Sequence, residues 1–299
     1  MPVGGTMRIR TILKWLLYLV GGIVGIALLG VLTIYVLIGN DLGRTFDIEG
    51  STIAILDDDA SIAEGERLAH VRGCYGGCHG KNTVGSIFME MPDGTQIVAP
   101  DLGLAAQKYS TRELERIIRH GIRPDGTSVL VIMPSISFYD LSDEDVGAII
   151  AFLKTQRPGE VQLPDRNVGP LGSLLLFYYK QIVGTILAAE KIDHEMPRID
   201  PAKDNPSAHG RYLAFTICTE CHGFDLRGEA GVGAPDLAIA VAYTAENFRK
   251  LLRTGVPMDG RELGLMAKMA TNRFSHLTDG EVDALHTYLR TLATQPVDH

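Results

Sequence analysis

The longest feature in the pattern of apolar and polar positions is residues 15–40, from Trp15 to Asn40, which carry no charge. The run is long enough to span a bilayer with some tilt. Arg8, Arg10 and Lys14 precede it and Asp41 follows. The positive-inside rule then places residues 1–14 in the cytoplasm and the rest of the chain outside. No small-x-small cleavage site stands near residues 38–43, which favours an uncleaved signal anchor over a removed leader. A polar tether follows over residues 41–60, where Asp57, Asp58 and Asp59 read as a solvated turn. A helix is then predicted to open near Ser61, with Gly65, Leu68, Ala69 and Val71 on it. Ser110 with Glu113, Ser142 with Asp145, and Thr278 with Glu281 have the spacing of capping boxes, the second with Asp in place of Glu. Behind them Leu114, Ile117 and Ile118, then Val146, Ile149, Ile150 and Leu153, then Val282, Leu285 and Leu289 recur at helical spacing. A second apolar stretch, Leu171–Ala189, with Ser173, Lys180 and Gln181 among its few polar residues, is predicted as one further helix.

The pattern repeats. Gly65-Glu66-Arg67-Leu68-Ala69 resembles Gly210-Arg211-Tyr212-Leu213-Ala214, and Ala99-Pro100-Asp101-Leu102 recurs as Ala234-Pro235-Asp236-Leu237. Arg119-His120-Gly121-Ile122 followed by Asp125-Gly126 recurs as Arg253-Thr254-Gly255-Val256 followed by Asp259-Gly260. Leu141-Ser142-Asp143 and Leu277-Thr278-Asp279 open the last helix of each unit. The units are too long for a solenoid. Two tandem domains are expected, over 61–157 and from 207 to the C-terminus at 299, joined by a proline-marked linker over 158–206.

Chemistry enters with the cysteines. Cys218-Thr219-Glu220-Cys221-His222 is a C-x-x-C-H sequence, the attachment signature of a c-type haem. Two thiols about one helical turn apart reach the two vinyl groups of one porphyrin, and the adjoining imidazole reaches the iron. A redox dithiol or half of a zinc site uses C-x-x-C as well, but neither needs the following His. Cys74-Tyr75-Gly76-Gly77-Cys78-His79 stands at the equivalent place in the first unit, with three intervening residues rather than two. Gly76-Gly77 is expected to absorb the extra residue, since glycine tolerates positive φ. All four cysteines fall in these two clusters, so none is left for a structural disulfide.

Each half resembles a class I cytochrome c domain, and the whole chain is similar to membrane-anchored dihaem cytochromes c, including the cytochrome subunits of periplasmic dehydrogenases. The haem motif, the A-P-D-L segment, the R-x-G segment and the L-[ST]-D helix start carry the resemblance, in the same order twice. It implies an all-α fold in which two small domains, following the transmembrane helix, each wrap a covalently bound haem c. It also implies that the first and last helices of each domain cross, with Gly65 and Gly210 permitting close approach and Phe152 and Tyr288 packing there. Pro100 and Pro235 are then expected to orient the proximal histidines through their carbonyls.

His79 and His222 are the expected proximal iron ligands. Met133, followed by Pro134 and eight residues before Leu141, matches the distal methionine of the family. In the second domain Met266 and Met269 compete, and Met266 is slightly preferred; Met89 and Met91 stand too early in the order. His120, His194, His209, His276 and His286 are the candidates for bis-histidine ligation. Arg119 and Arg253 are candidates for haem propionates, because a guanidinium binds a carboxylate bidentately. Methionine ligation closes the iron and points to an electron carrier, whereas an open iron would point to the alternative, a dihaem peroxidase.

The net charge of −8, with no basic stripe, argues against a nucleic-acid partner. Covalent haem attachment and the single anchor together predict a bacterial inner-membrane protein with both haem domains on the periplasmic side. Leu171–Ala189 therefore is not expected to cross the membrane, since crossing would separate the two domains. It is expected to pack on a haem domain, a partner subunit or the membrane surface. A dehydrogenase, a soluble cytochrome or a terminal oxidase is the expected redox partner.

Overall fold

The computed structural model describes residues 5–229, 231 and 233–294, so the extreme ends of the predicted cytoplasmic segment and of the second domain lie outside the described residues. Helix α1 (Gly5–Leu42) is followed by a first domain containing α2 (Asp59–Val71), a hairpin of β1 (Ser86–Glu90) and β2 (Gln96–Ala99), α3 (Leu102–Lys108), and α4 (Thr111–Glu115). The last of these runs into a π turn over Arg116–His120, and α5 (Ser135–Phe138) and α6 (Asp143–Thr155) complete the domain. The linker holds α7 (Pro170–Val183) and α8 (Ala188–Lys191). The second domain has α9 (Pro206–Leu213), a π turn over Ala214–Cys218, α10 (Thr219–His222), α11 (Ala245–Thr254), α12 (Leu265–Asn272) and α13 (Asp279–Thr291).

The same crossing organises both domains. In the first, α2 lies across α6 at Gly65, where a Cβ would come within 1.9 Å of the Ala148 carbonyl oxygen and 2.9 Å of the Phe152 Cβ. In the second, α9 lies across α13 at Gly210, where the corresponding approaches are 2.0 Å to the Ala284 carbonyl oxygen and 2.7 Å to the Tyr288 Cβ. Only glycine fits either place. The apolar faces of α6 and α13 are buried along Val146, Ile149, Ile150 and Leu153, and along Val282, Leu285 and Leu289. The two domains share one continuous core, with Leu68, Phe152, Tyr212 and Leu285 in a single cluster.

The helix starts differ from one another in an instructive way. Ser110 with Glu113 and Thr278 with Glu281 make complete capping boxes. Ser142 accepts the Asp145 N–H, but the Asp145 carboxylate does not return to the cap. It accepts from the Tyr212 hydroxyl at 2.5 Å, across the domain boundary. Asp58, expected in a solvated turn, is instead the N-cap of α2 and accepts the Ser61 N–H at 3.0 Å.

Outside the crossing helices the chain departs from simple expectation at three places. The short antiparallel hairpin, irregular between Ile87 and Met89, is a β element in an otherwise helical fold. Residues after α1 lie extended along the first domain: the Ser51 N–H donates to the fully buried Glu115 at 2.8 Å, and Ile53 joins the core. The single helix predicted over 171–189 is broken at Gly184, whose φ of +84° ends α7. The chain then turns inward, with Ile186 and Leu187 buried and Leu187 bridged to Leu130. Helix α7 packs on the outer turns of α1, where Leu176 and Phe177 share a cluster with Ile34, Ile38 and Leu42, and Lys180 pairs with Asp41 at 2.5 Å.

Candidate functional site

Each cysteine cluster ends in a histidine held by the carbonyl of a distant proline. His79 Nδ1 lies 2.8 Å from the Pro100 oxygen, and His222 Nδ1 lies 2.8 Å from the Pro235 oxygen. A carbonyl only accepts, so each Nδ1 carries the proton and each Nε2 keeps a lone pair. Among the described residues no hydrogen bond reaches either Nε2. Burial pushes both imidazoles below the ordinary histidine range, against the proline hydrogen bond, and so keeps them neutral. A neutral imidazole with a fixed ring and a free Nε2 is what an iron ligand requires.

The A-P-D-L segment has two jobs. Its proline carbonyl holds the histidine, and its aspartate caps the turn of helix that begins at the leucine: Asp101 accepts from the Leu104 N–H and Asp236 from the Ala238 N–H. Two further pairs of glycines, outside the repeated segments described above, complete the loop. Gly80 and Gly223, directly after the histidines, have φ of +72° and +75°. The Gly85 N–H donates to the His79 carbonyl at 2.8 Å, and the Gly228 N–H to the His222 carbonyl at 2.9 Å. A Cβ at Gly85 or Gly228 would come within 2.8 Å of a carbonyl oxygen of the A-P-D-L segment. The duplicated C-H-G is a legible signal for the first pair.

All four thiols are free. In the first domain the longer spacing is taken up by a turn. Gly76 has φ of +71°, and Gly77 lies so near Gly73 that a Cβ would meet its carbonyl oxygen at 2.2 Å. In the second domain Cys218 closes a π turn and Cys221 lies on α10. Burial pushes the Cys74 thiol up to about 11 and the Cys218 thiol up to about 12. The Arg273 charge opposes that rise at all four thiols. Two free, protonated thiols beside a neutral imidazole with an open Nε2 fit covalent haem attachment in each domain.

No repeated segment marks Arg273, because its partners are remote in sequence. Its guanidinium grips Glu220, between the two cysteines of the second cluster, at 2.8 and 2.9 Å. Its Nε donates at 2.9 Å to the carbonyl of Val71, just before the first cluster. Arg72 reaches the Thr216 carbonyl and hydroxyl at 3.1 and 2.9 Å, and His70 stacks on His276 at 4.1 Å between centroids. The two cysteine segments are therefore tied to each other directly.

The distal candidates are half-buried. Met133 sits in the turn before α5, its N–H bonded to the Leu130 carbonyl. Met266 and Met269 are one turn apart on α12, both against the core. The Met269 sulfur lies 4.0 Å from an Arg273 guanidinium nitrogen. The alternative histidines have other partners. His120 and His194 face each other at 2.8 Å, His209 bonds the Pro201 carbonyl, and His286 bonds the Tyr243 carbonyl.

The propionate role expected of Arg119 and Arg253 does not match their surroundings. Arg119 is fully buried, with its guanidinium committed to Glu115, Asp143 and the Leu141 carbonyl. Arg253 binds the Phe274 and Ser275 carbonyls and Asp279. Both brace the loop that leads into the last helix of their own domain, which explains why the R-x-G segment and the helix start recur together.

The model of the cytochrome c family matches residues 62–157 and 207–293, more than half of the chain. Covalently bound haem c is the cofactor of such domains. The chain is 25% identical over 262 residues to the fructose dehydrogenase cytochrome subunit of Gluconobacter japonicus, covering 78% of this chain and 52% of that protein. It is 26% identical over 282 residues to the cytochrome c subunit of the quinone alcohol dehydrogenase of Gluconobacter oxydans, covering 80% and 56%. It is 24% identical over 291 residues to the gluconate 2-dehydrogenase cytochrome c subunit of Pantoea cypripedii, covering 82% and 63%. The chain thus spans between about half and two thirds of the length of these relatives. With a family match over both repeats, and with the same histidine clamp in each, the chain belongs to the cytochrome c family.

Proposed function

We propose that the chain is a membrane-tethered dihaem electron-transfer subunit. It takes electrons from a dehydrogenase on the periplasmic face of the bacterial inner membrane and delivers them to a soluble cytochrome or a terminal oxidase. The observation that carries this reading is the duplicated clamp, a cysteine pair followed by a histidine whose Nδ1 lies 2.8 Å from a proline carbonyl. In this reading Cys74 and Cys78 hold one haem c, and Cys218 and Cys221 hold a second. His79 and His222 are the proximal ligands, with Met133 and Met266 on the distal sides. Met266 is preferred because the Met269 sulfur is engaged by Arg273. The haems supply the one-electron chemistry, and the chain fixes each imidazole, keeps it neutral and binds the two attachment segments together.

The tether reading has its own support. Ile38 is only 1% exposed and Asp41 is paired with Lys180, so the outer end of α1 is built into the folded domain. Removing α1 as a leader would open that cluster and leave Lys180 without its partner. Arg10 and Lys14 before the apolar run support a reading with the haem domains on the far side. The names of the relatives favour a dehydrogenase as electron donor. The peroxidase reading gains no support from them.

A pyridine haemochrome assay on the denatured protein is expected to give two covalent haems per chain; one haem would remove the reading of the first cluster. Met266→His and Met269→His, followed separately through the near-infrared methionine–iron band, are expected to abolish the band of one haem only in the Met266 variant. Loss of it in the Met269 variant instead would reverse the assignment.

A further inference from the structure

Helix α7 turns the wrong face outward for a helix in water. A helix on a wetted surface buries its apolar stripe and shows its polar residues. In α7, Ser173 is buried and Lys180, the only charge of the helix, pairs with Asp41, which leaves Gln181 at the flank of the outward face. The outward stripe is Leu171, Leu175, Tyr178 and Ile182, spaced so that all four fall on one side of the helix. Each of them is exposed. Tyr178 and Ile182 are 66% and 62% exposed, as open as Leu28 and Leu29 in the apolar run of α1 at 65% and 63%.

The position of α7 identifies what covers that stripe. Leu176 and Phe177 pack with Ile34, Ile38 and Leu42 of α1. From Ile34 to Asp41, where the apolar run ends, α1 rises about 10 Å. A helix lying against those turns of a membrane-spanning α1 sits at the boundary between headgroups and acyl chains, where interfacial helices bury their apolar face. Tyrosines favour that depth, since the ring and the hydroxyl then meet different media, and Tyr178 and Tyr179 are both exposed. We propose that the outward stripe of α7 is seated in the membrane leaflet on the haem-domain side, against lipid at the headgroup–acyl boundary. The stripe carries no cation, so apolar burial and not headgroup charge holds it. This inference rests on the tether reading above and adds a second membrane contact to it. The start of α7 is fixed to the first domain: the Gly169 N–H donates to the Thr95 hydroxyl at 2.9 Å and the Leu171 N–H to Asp93 at 2.7 Å. Met89 and Ile97 of the hairpin join the cluster between α1 and α7. With two contacts the first domain does not swing about α1 but is held with its hairpin beside the bilayer.

The test is spin-label accessibility in the full-length holoprotein, with any subunits that co-purify, in phosphatidylcholine nanodiscs. Leu175→Cys and Ile182→Cys report on α7, Leu29→Cys on α1, and Lys250→Cys on the outer face of α11. All four side chains are exposed, so the substitutions leave the packing intact. Labels at 175 and 182 are expected to give a ratio of collisions with dissolved oxygen to collisions with a water-soluble nickel chelate several-fold above that at 250. The label at 29 is expected to show the same lipid-like ratio. A water-like ratio at 175 and 182, with a lipid-like ratio at 29, would overturn the lipid seat and leave the tether standing. Labels at 175 and 182 that are immobilised and reached by neither reagent would overturn it in favour of a partner subunit or a second copy of the chain. A water-like ratio at 29 would instead overturn the tether reading on which the seat rests.

Discussion

The two cysteine segments reach the same histidine clamp by different backbone routes. In the first domain the cysteines are carried by a turn, with Gly76 at positive φ and Gly77 pressed against the Gly73 carbonyl. In the second they lie on a π turn that runs into a short helix. Both routes end at a histidine clamped at 2.8 Å by a proline carbonyl, and both are followed by a glycine at positive φ, +72° and +75°. The spacing of the thiols is the adjustable part. Thioether bonds tolerate a change in the path between cysteines, whereas the iron ligand tolerates little change in ring orientation. The irregular Cys74 cluster thus presents the same histidine clamp as the regular one.

The comparison breaks most visibly at the helix crossings. Gly65→Ala and Gly210→Ala would place a methyl group 1.9 and 2.0 Å from a backbone carbonyl oxygen. Neither carbonyl can retreat without breaking its helix. Each variant is expected to lose about 3 kcal/mol or more of stability, the upper end of the overpacking range. The loss should fall on its own domain, read as reduced covalent haem and a lowered melting temperature. Equal losses would confirm that the crossings are equivalent; a tolerated alanine at either would end that equivalence. A smaller effect is expected at the tie between the domains. Arg273→Gln leaves Glu220, whose side chain is 15% exposed, without its cation. The expected cost is about 2 kcal/mol, below the figure for a fully buried pair because both groups keep some contact with water. Loss of a positive charge beside both attachment segments is also expected to lower both reduction potentials together. A change in one potential alone would count against a shared tie.

Much of this was legible because it repeats. The A-P-D-L and R-x-G segments, the crossing glycines and the buried faces of α6 and α13 are local patterns read twice, and each copy supports the other. What escaped the sequence depends on distant partners or on a single backbone angle. The spacing of Ser142 and Asp145 suits a capping box, but Tyr212, from the other domain, takes the Asp145 carboxylate. Arg119 has the right chemistry for a propionate, yet Glu115 one turn before it and Asp143 beyond the loop bind it first. The apolar run over 171–189 has helical composition throughout, and only Gly184 at positive φ divides it. The Arg273–Glu220 pair left no trace in spacing at all, since 53 residues separate the partners.

The finest difference between the domains is at the start of the last helix, and pH resolves it. Glu281 returns to the Thr278 N–H at 2.7 Å and also meets Arg67 of the first domain at 2.8 Å. Asp145, its counterpart, makes no such return. Burial alone would raise the Glu281 carboxyl, but the hydrogen bonds from Arg67 and the cap outweigh it and hold the group below its ordinary value of 4.5. A carboxylate depressed in the folded state contributes stability above its unfolded pKa and loses it as pH falls through the folded one. The contribution of Glu281 is therefore complete from neutral pH down to about pH 5 and fades below that. Wild-type protein is expected to lose about 1 kcal/mol more than Glu281→Gln between about pH 5 and pH 3, a range for a partly buried pair. The two melting curves should converge in acid, because the variant's amide has no charge to lose. Asp145→Asn offers the matching comparison in the first domain, where the carboxylate does not return to the helix start but accepts from Tyr212 and lies 3.8 Å from Arg72. Parallel acid slopes for wild type and Glu281→Gln would show that the ion pair with Arg67 adds nothing to the union of the domains, and that the contacts of Tyr212 with Asp145 and of Thr216 with Arg72 hold it.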